Sequence, residues 1–267
     1  MVNVAILGVT GRMGRASVRA LRETEGMALS GALASARSTA LGRDAGDVAE
    51  TGPVGIEVAA ERERVLAGAD VAIDFTLPTA TAANLDACLR ARVPLVIGTT
   101  GLDEAAQVEI RKVSHDLPVL VAPNMSLGMN LLFSLVARAA AALPISYDIE
   151  IVESHHRNKV DAPSGSALRI GEVAAGARNT TLHETGVYSR VGNTGPRAAG
   201  SIGFAIVRGG DTVGDHRVLF AAPGEQIEIA HRATDRMTFA YGAVAAARWL
   251  AGRPAGLYGM ADVLSLS

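Results

Sequence analysis

Residues 153–167 read Glu-Ser-His-His-Arg-Asn-Lys-Val-Asp-Ala-Pro-Ser-Gly-Ser-Ala, the densest chemistry in the chain. His155 and His156 are imidazoles that move protons near neutral pH. Arg157 and Lys159 add positive charge suited to an acidic ligand. Ser164-Gly165-Ser166 then opens a helical stretch, and backbone amides at Gly165 and Ser166 suit a carboxylate. Each residue alone also fits a solvated basic turn with Ser164 as an ordinary cap. Together they point to acid–base chemistry on an anionic substrate. Zinc would need a further ligand beside the two imidazoles, and the sole cysteine, Cys88, is remote in sequence, so no metal is expected.

A second constellation lies at the start. The apolar run Val2–Leu7 meets Gly8-Val9-Thr10-Gly11-Arg12-Met13-Gly14 and then a helical stretch. Glycines between a strand and a helix let the backbone approach a pyrophosphate, whose charge meets the helix N-terminus. The spacing G-x-x-G-x-x-G departs from the usual G-x-G-x-x-G, so context carries the reading. The second strand ends Ala34-Ser35-Ala36-Arg37-Ser38, without the carboxylate that would hold the ribose 2′-OH of NAD. Ser35 and Arg37 suit a 2′-phosphate instead, which makes NADPH the expected cofactor ahead of NADH. The alternative is a solvated Arg37. Two later turns, Gly98-Thr99-Thr100-Gly101 and Ala122-Pro123-Asn124-Met125, also follow strands, where open parallel sheets bind ligands.

The elements that must position these residues divide into two styles. Apolar runs at 2–7, 28–33, 70–75, 94–97 and 118–121 alternate with helical stretches at 13–25, 79–91 and 103–115. Unbroken apolar strands separated by helices predict a doubly wound parallel sheet buried on both faces, a Rossmann-like α/β domain. After a strand at 147–153 and a helix at 164–177, strand-like runs cluster at 186–191, 200–207, 212–221 and 225–232. These predict a second α+β domain on a mostly antiparallel, open sheet. A helix at 237–251 closes the chain.

The run Glu153–Ala167 closely resembles the signature of the 4-hydroxy-tetrahydrodipicolinate reductases (dihydrodipicolinate reductases). Gly8–Gly14, Asp74-Phe75-Thr76, Gly98–Gly101, Asn124–Asn130, Gly200–Gly203 and Arg236-Met237-Thr238-Phe239 are similar to further elements of that family, in order along the whole chain. The resemblance implies hydride transfer from NAD(P)H to a conjugated imine of a cyclic dicarboxylate, then protonation. It implies His155 as proton donor and acceptor, Lys159 as second proton donor, and His156, Gly165 and Ser166 as substrate ligands. Gly8, Val9, Thr10, Gly11, Arg12, Met13, Gly98, Thr99, Thr100, Ala122, Pro123, Asn124 and Met125 would hold the cofactor. It also implies a homotetramer, a dinucleotide-binding domain at 1–125 to which 236–267 return, and a substrate-binding and oligomerisation domain at 126–235. Ala34 stands where many members carry an acidic residue, which bears on cofactor preference. The role of Arg157 stays open between catalysis and structure.

Composition sets the outer limits. The chain has 267 residues, 49% hydrophobic and 19% charged, ample for a core. A formal net charge of −2 provides no basic footprint for nucleic acid. One cysteine excludes an intramolecular disulfide framework and suits a reducing compartment. Met1–Leu7 lacks the basic region of a secretory leader, and the uncharged stretch 117–137 holds Pro123, Asn124, Ser126, Gly128 and Asn130. No membrane partner and a cytoplasmic location are therefore expected. Another NAD(P)H-dependent reductase would share the glycine turn but has no need of the His-Lys cluster. A non-catalytic NADP(H) sensor would be expected to lack the proton donors.

Overall fold

The computed structural model describes residues 1–266. In chain order its elements are β1 (Val2–Leu7), α1 (Arg12–Glu23), β2 (Met27–Leu33), α2 (Ala45–Val48), β3 (Val58–Ala59), α3 (Arg62–Leu66) and β4 (Val71–Asp74). There follow α4 (Thr81–Ala91), β5 (Leu95–Ile97), α5 (Glu104–Val113), β6 (Pro118–Val121) and α6 (Leu127–Ala142). Next come β7 (Asp148–His155), α7 (Gly165–Ala177), α8 (Leu182–Thr185), β8 (Gly186–Val187), β9 (Ile202–Arg208), β10 (Gly214–Ala222) and β11 (Glu225–Ala233). The last are α9 (Met237–Leu250), β12 (Gly256–Tyr258) and α10 (Met260–Val263). Two compact units result: Met1–Leu127 with the chain from Met237 onward, and Gly128–Arg236.

The first unit is the parallel sheet predicted from the apolar runs, in the order β12-β6-β5-β4-β1-β2-β3. Alternate side chains of each strand enter two separate cores. Val4, Ile6, Val71, Ile73, Val96 and Leu120 pack with α1 and α9. Ala5, Leu7, Ala72, Leu95, Ile97 and Val119 pack with α3, α4 and α5. A strand covered on both sides has no polar face, which is why the period-two alternation is missing from the sequence. Cys88 lies fully buried on α4 in the second of these cores, and burial pushes its thiol up to about 12. It is inert packing, not a nucleophile.

Elements missed by the apolar pattern are short: α2, β3, α3, α8, β12 and α10 have two to five residues each. Too few residues repeat in such pieces for a period to show.

The second unit is a five-stranded sheet, β11-β10-β7-β9-β8. The mostly antiparallel sheet expected here is mixed instead. β10 pairs antiparallel with β7 and β11, whereas β7 with β9 and β9 with β8 are parallel. The cause is α7, which lies between β7 and β9 in the chain and makes the crossover that parallel neighbours need. Of the expected strand at 186–191, only Gly186–Val187 pairs. Along β7 the residues Ile149, Ile151, Glu153 and His155 alternate into the buried face. The apolar pair joins a core with Met129, Leu132 and Val136 of α6, Ile170 and Ala174 of α7, and Val218 and Phe220 of β10. Among the described residues no helix is long and apolar enough to cross a membrane.

Close packing in the first unit depends on a missing methyl group on α9. A Cβ on Gly242 would stand 1.8 Å from the carbonyl oxygen of Met125, a backbone atom that cannot rotate away. Gly242→Ala should therefore lower unfolding free energy by about 3 kcal/mol despite the higher helix propensity of alanine. Urea denaturation of the two proteins measures this directly.

Candidate active site

In the first unit the turn after β1 is shaped by its glycines. Gly8 sits at φ +88°, and a Cβ there would meet the Phe75 carbonyl oxygen at 3.1 Å. A Cβ on Gly14 would fall 2.2 Å from the Gly8 oxygen, so only glycine lets α1 start this close to the strand. The Gly8 and Val9 amides donate to Leu33 O, and Gly11 N donates to Gly8 O, which closes the turn. The cap residue of α1, Gly11, brings no side chain to its first amides, and no acidic residue stands in its first turn. That is the arrangement a pyrophosphate requires. Beside it lies a cavity of about 540 Å³ lined by Gly8, Thr10, Gly11, Ala34 and Ser35, large enough for part of a dinucleotide.

Other expected cofactor residues are distributed differently. Thr99, Thr100 and Pro123 line a second cavity of about 410 Å³ with Leu257 and Tyr258. Val9, Ala122 and Met125 point their side chains into the α1–α9 core, so they reach a ligand only through the backbone. Asn124 holds the turn before α6 by accepting from the Ser126 amide at 2.9 Å. Arg12 and Arg37 are exposed, and the Arg37 amide donates to Ser35 Oγ at 3.3 Å.

A buried polar set in the larger cavity is absent from the expected list. Asp74, fully buried at the end of β4, accepts from Thr76 N (2.7 Å), Thr76 Oγ1 (2.6 Å) and Asn84 Nδ2 (2.9 Å). Asn84 Oδ1 in turn accepts from Arg62 Nε at 2.8 Å. Phe75, Thr76, Asn84 and Arg62 all line the cavity. Asp74-Phe75-Thr76 did stand out as a motif; Arg62 and Asn84 lie in helices and carry no local signal.

In the second unit, β7 delivers His155 at its last position, and the chain then turns tightly. His156 N donates to Thr212 O, Gly209 N to His155 O, and Lys159 N to His156 O. The segment returns so that Ser164 N donates to Glu153 Oε1 at 3.0 Å. The start of α7 is thereby docked on the end of β7, which brings Gly165 and Ser166 to the same turn. Ser164 Oγ caps α7 by accepting from Ala167 N. Gly165 is exposed, and nothing lies within 4 Å of where its Cβ would be. Lys159 Nζ stands 2.8 Å from Asp161 Oδ1, and that ammonium holds the Asp161 carboxyl below the usual carboxylate range. Arg236 Nη2 lies 3.3 Å from His156 Nε2. Arg157 is exposed.

Two more residues enter from other strands. Arg208, opposite His155 on β9, forks onto the buried Glu153 carboxylate with contacts of 2.7 and 2.8 Å. His216 of β10 is buried edge-on to His155, with ring centroids 5.1 Å apart. Its Nε2 lies 3.2 Å from Ser164 Oγ. Burial, helped by the charge of His155, lowers the His216 imidazole to about 4. That is below the ordinary 6.5, so between these values the unfolded chain binds the additional proton. The stability linked to neutral His216 is full above about pH 6.5 and is lost as pH falls toward 4. His216→Gln, which keeps an acceptor near Ser164, should flatten the wild-type loss of urea midpoint across that window.

The two halves of the chain match family models described as dihydrodipicolinate reductase, N-terminus (residues 2–125) and C-terminus (residues 128–264). A 4-hydroxy-tetrahydrodipicolinate reductase of Nitrosomonas europaea is 49% identical over 99% of this chain and 98% of its own length. That of Laribacter hongkongensis is 52% identical, with the same shares covered. Among solved structures, a dipicolinate-bound dihydrodipicolinate reductase from Paenisporosarcina superposes with a TM-score of 0.79 at 25% identity, over 98% of each chain. An amine dehydrogenase of Mycobacterium smegmatis, at 13% identity and TM-score 0.63 over 96% of this chain and 94% of its own, shares the fold. With both family models matched in sequence order and half of all positions identical to curated relatives, this chain belongs to the dihydrodipicolinate reductase family.

Proposed function

We propose that the protein reduces 4-hydroxy-tetrahydrodipicolinate (dihydrodipicolinate) to tetrahydrodipicolinate, the reductive step of the diaminopimelate route to lysine. One observation carries the reading. A single turn between β7 and α7 gathers two imidazoles, an ammonium and the first residues of a helix. Family membership supports the same substrate.

The cofactor is a nicotinamide dinucleotide, which when bound supplies the hydride. The first unit is its domain in this reading, with the pyrophosphate against the Gly8–Met13 turn. NADPH is preferred: the end of β2 carries Ser35 and Arg37 and no carboxylate, and a 2′-phosphate needs donors, not acceptors.

The second unit holds the substrate. His156, Gly165 and Ser166 bind its carboxylates through an imidazole and helix-start amides. Hydride addition to a conjugated imine leaves an electron pair to be protonated. His155 delivers and recovers that proton, and Lys159 is the second donor. The Lys159–Asp161 contact supports this role, because a carboxylate already sits where the ammonium meets an anion. Assembly as a homotetramer belongs to the same reading, supported by the exposed apolar side chains Val191, Val207 and Ile227 of the second unit. A lone buried thiol supports a cytoplasmic location.

The test follows absorbance at 340 nm with freshly condensed pyruvate and aspartate semialdehyde. Substrate-dependent NADPH oxidation is expected, and its absence with both nicotinamides would sink the assignment. His155→Ala and Lys159→Ala should each lower kcat by about 100-fold or more with NADPH affinity nearly unchanged. Arg37→Ala should raise the Kd of NADPH about tenfold while leaving that of NADH in place, as fluorescence titration would show.

A further inference from the structure

We propose that Glu153 is a positioning residue for the reduction, acting through His155 and itself clamped by Arg208. The proposal rests on the reading of His155 as proton donor.

Glu153 lies two residues before His155 on the same buried face of β7 and is fully closed to solvent. Its four acceptor positions are all filled. Oε1 takes the Ser164 amide at 3.0 Å and Arg208 Nη2 at 2.7 Å. Oε2 takes Arg208 Nη1 at 2.8 Å and faces His155 Nδ1 at 2.5 Å. Burial alone would raise this carboxyl, but the bonds from His155, Arg208 and Ser164 outweigh it and hold it at about 2. An ionised carboxylate only accepts, so Nδ1 of His155 must carry a proton. In the neutral ring Nε2 is then the bare nitrogen, and in the charged ring it is the one with a proton to give.

The surroundings keep that nitrogen clear. Gly214 of β10 lies beneath it, and a Cβ there would come within 3.2 Å of Nε2. His216, the other imidazole in contact, is held neutral and presents a ring edge, so it adds no competing charge. The side chains that face His155 are thus Glu153 on its own strand, Arg208 opposite it on β9, and His216 from β10. A merely structural Glu153–Arg208 pair would need only the fork. The fourth contact, aimed at Nδ1, orients a ring, as carboxylates do behind working imidazoles.

Glu153→Gln separates the two roles. A glutamine amide must turn its NH2 toward either Arg208 and Ser164 or Arg208 and His155, opposing a donor in both cases. Expected are a fall in kcat of about 100-fold, KM changed less than threefold, and loss of the Nδ1-protonated ¹⁵N signature of neutral His155. Unchanged kcat with that signature intact would overturn the proposal, as would a wild-type ring protonated at Nε2 alone. If Glu153→Gln does not fold, the ¹⁵N spectrum of the wild-type ring carries the test: a neutral His155 protonated at Nδ1 is expected, and one protonated at Nε2 alone overturns the proposal. His155→Ala in the same assay keeps the two readings apart. Its full activity would remove the proton donor itself, whereas its collapse beside an active Glu153→Gln would remove only the positioning role.

Discussion

A carboxylate sealed from water must find every hydrogen-bond donor within the protein, and Glu153 finds four. That requirement organises the second unit. The donors come from β7 itself, from the end of β9 and from the residue that caps α7, so one buried charge ties together three elements with no hydrophobic reason to meet at that point. β9 must lie parallel to β7 for Arg208 to stand opposite His155, and the α7 crossover makes that direction possible. The mixed sheet and the site are therefore two consequences of one constraint. The apolar core beneath, with Ile149, Ile151 and Phe220, supplies the stability that burying a charge does not.

The first unit works with backbone where the second works with side chains. Its glycines matter for what they omit: a Cβ on Gly14 would collide with the turn, and one on Gly98 would lie 2.1 Å from the Phe75 ring. Removing those methyl groups frees amide donors at a helix start and lets an aromatic ring settle against the β5 turn. The polar chain from Asp74 through Asn84 to Arg62 does the complementary work, fixing β4 and α4 beside the larger cavity. Each of its members is hydrogen-bonded to another, and that coupling makes such a network rigid.

The parallel sheet was legible in the sequence because a strand buried on both faces advertises itself as an unbroken apolar run. So was the cluster from Glu153 to Ala167, since ten of its residues bear polar or ionisable side chains and lie within one strand–turn–helix passage. Less was legible where a residue's importance comes from a distant partner. Arg208 sits at the end of an ordinary strand, 55 positions from Glu153, and His216 sits 52 from Ser164. Neither has a local pattern, and β-pairing across a crossover leaves no trace in spacing. Arg236 is an intermediate case, marked by its motif but linked to His156 only by folding.

By itself, then, the sequence determined which chemistry was at hand: imidazoles, an ammonium, helix-start amides and a glycine turn, each dictated by residue type and near neighbours. Tertiary structure decided how that chemistry is held. Local types cannot choose which nitrogen of His155 carries the proton, because the choice belongs to the carboxylate that faces it. That carboxylate is in turn kept ionised by an arginine arriving from another strand. Hydrogen-bond direction is a property of pairs, and the pairs exist only once the chain has closed on itself.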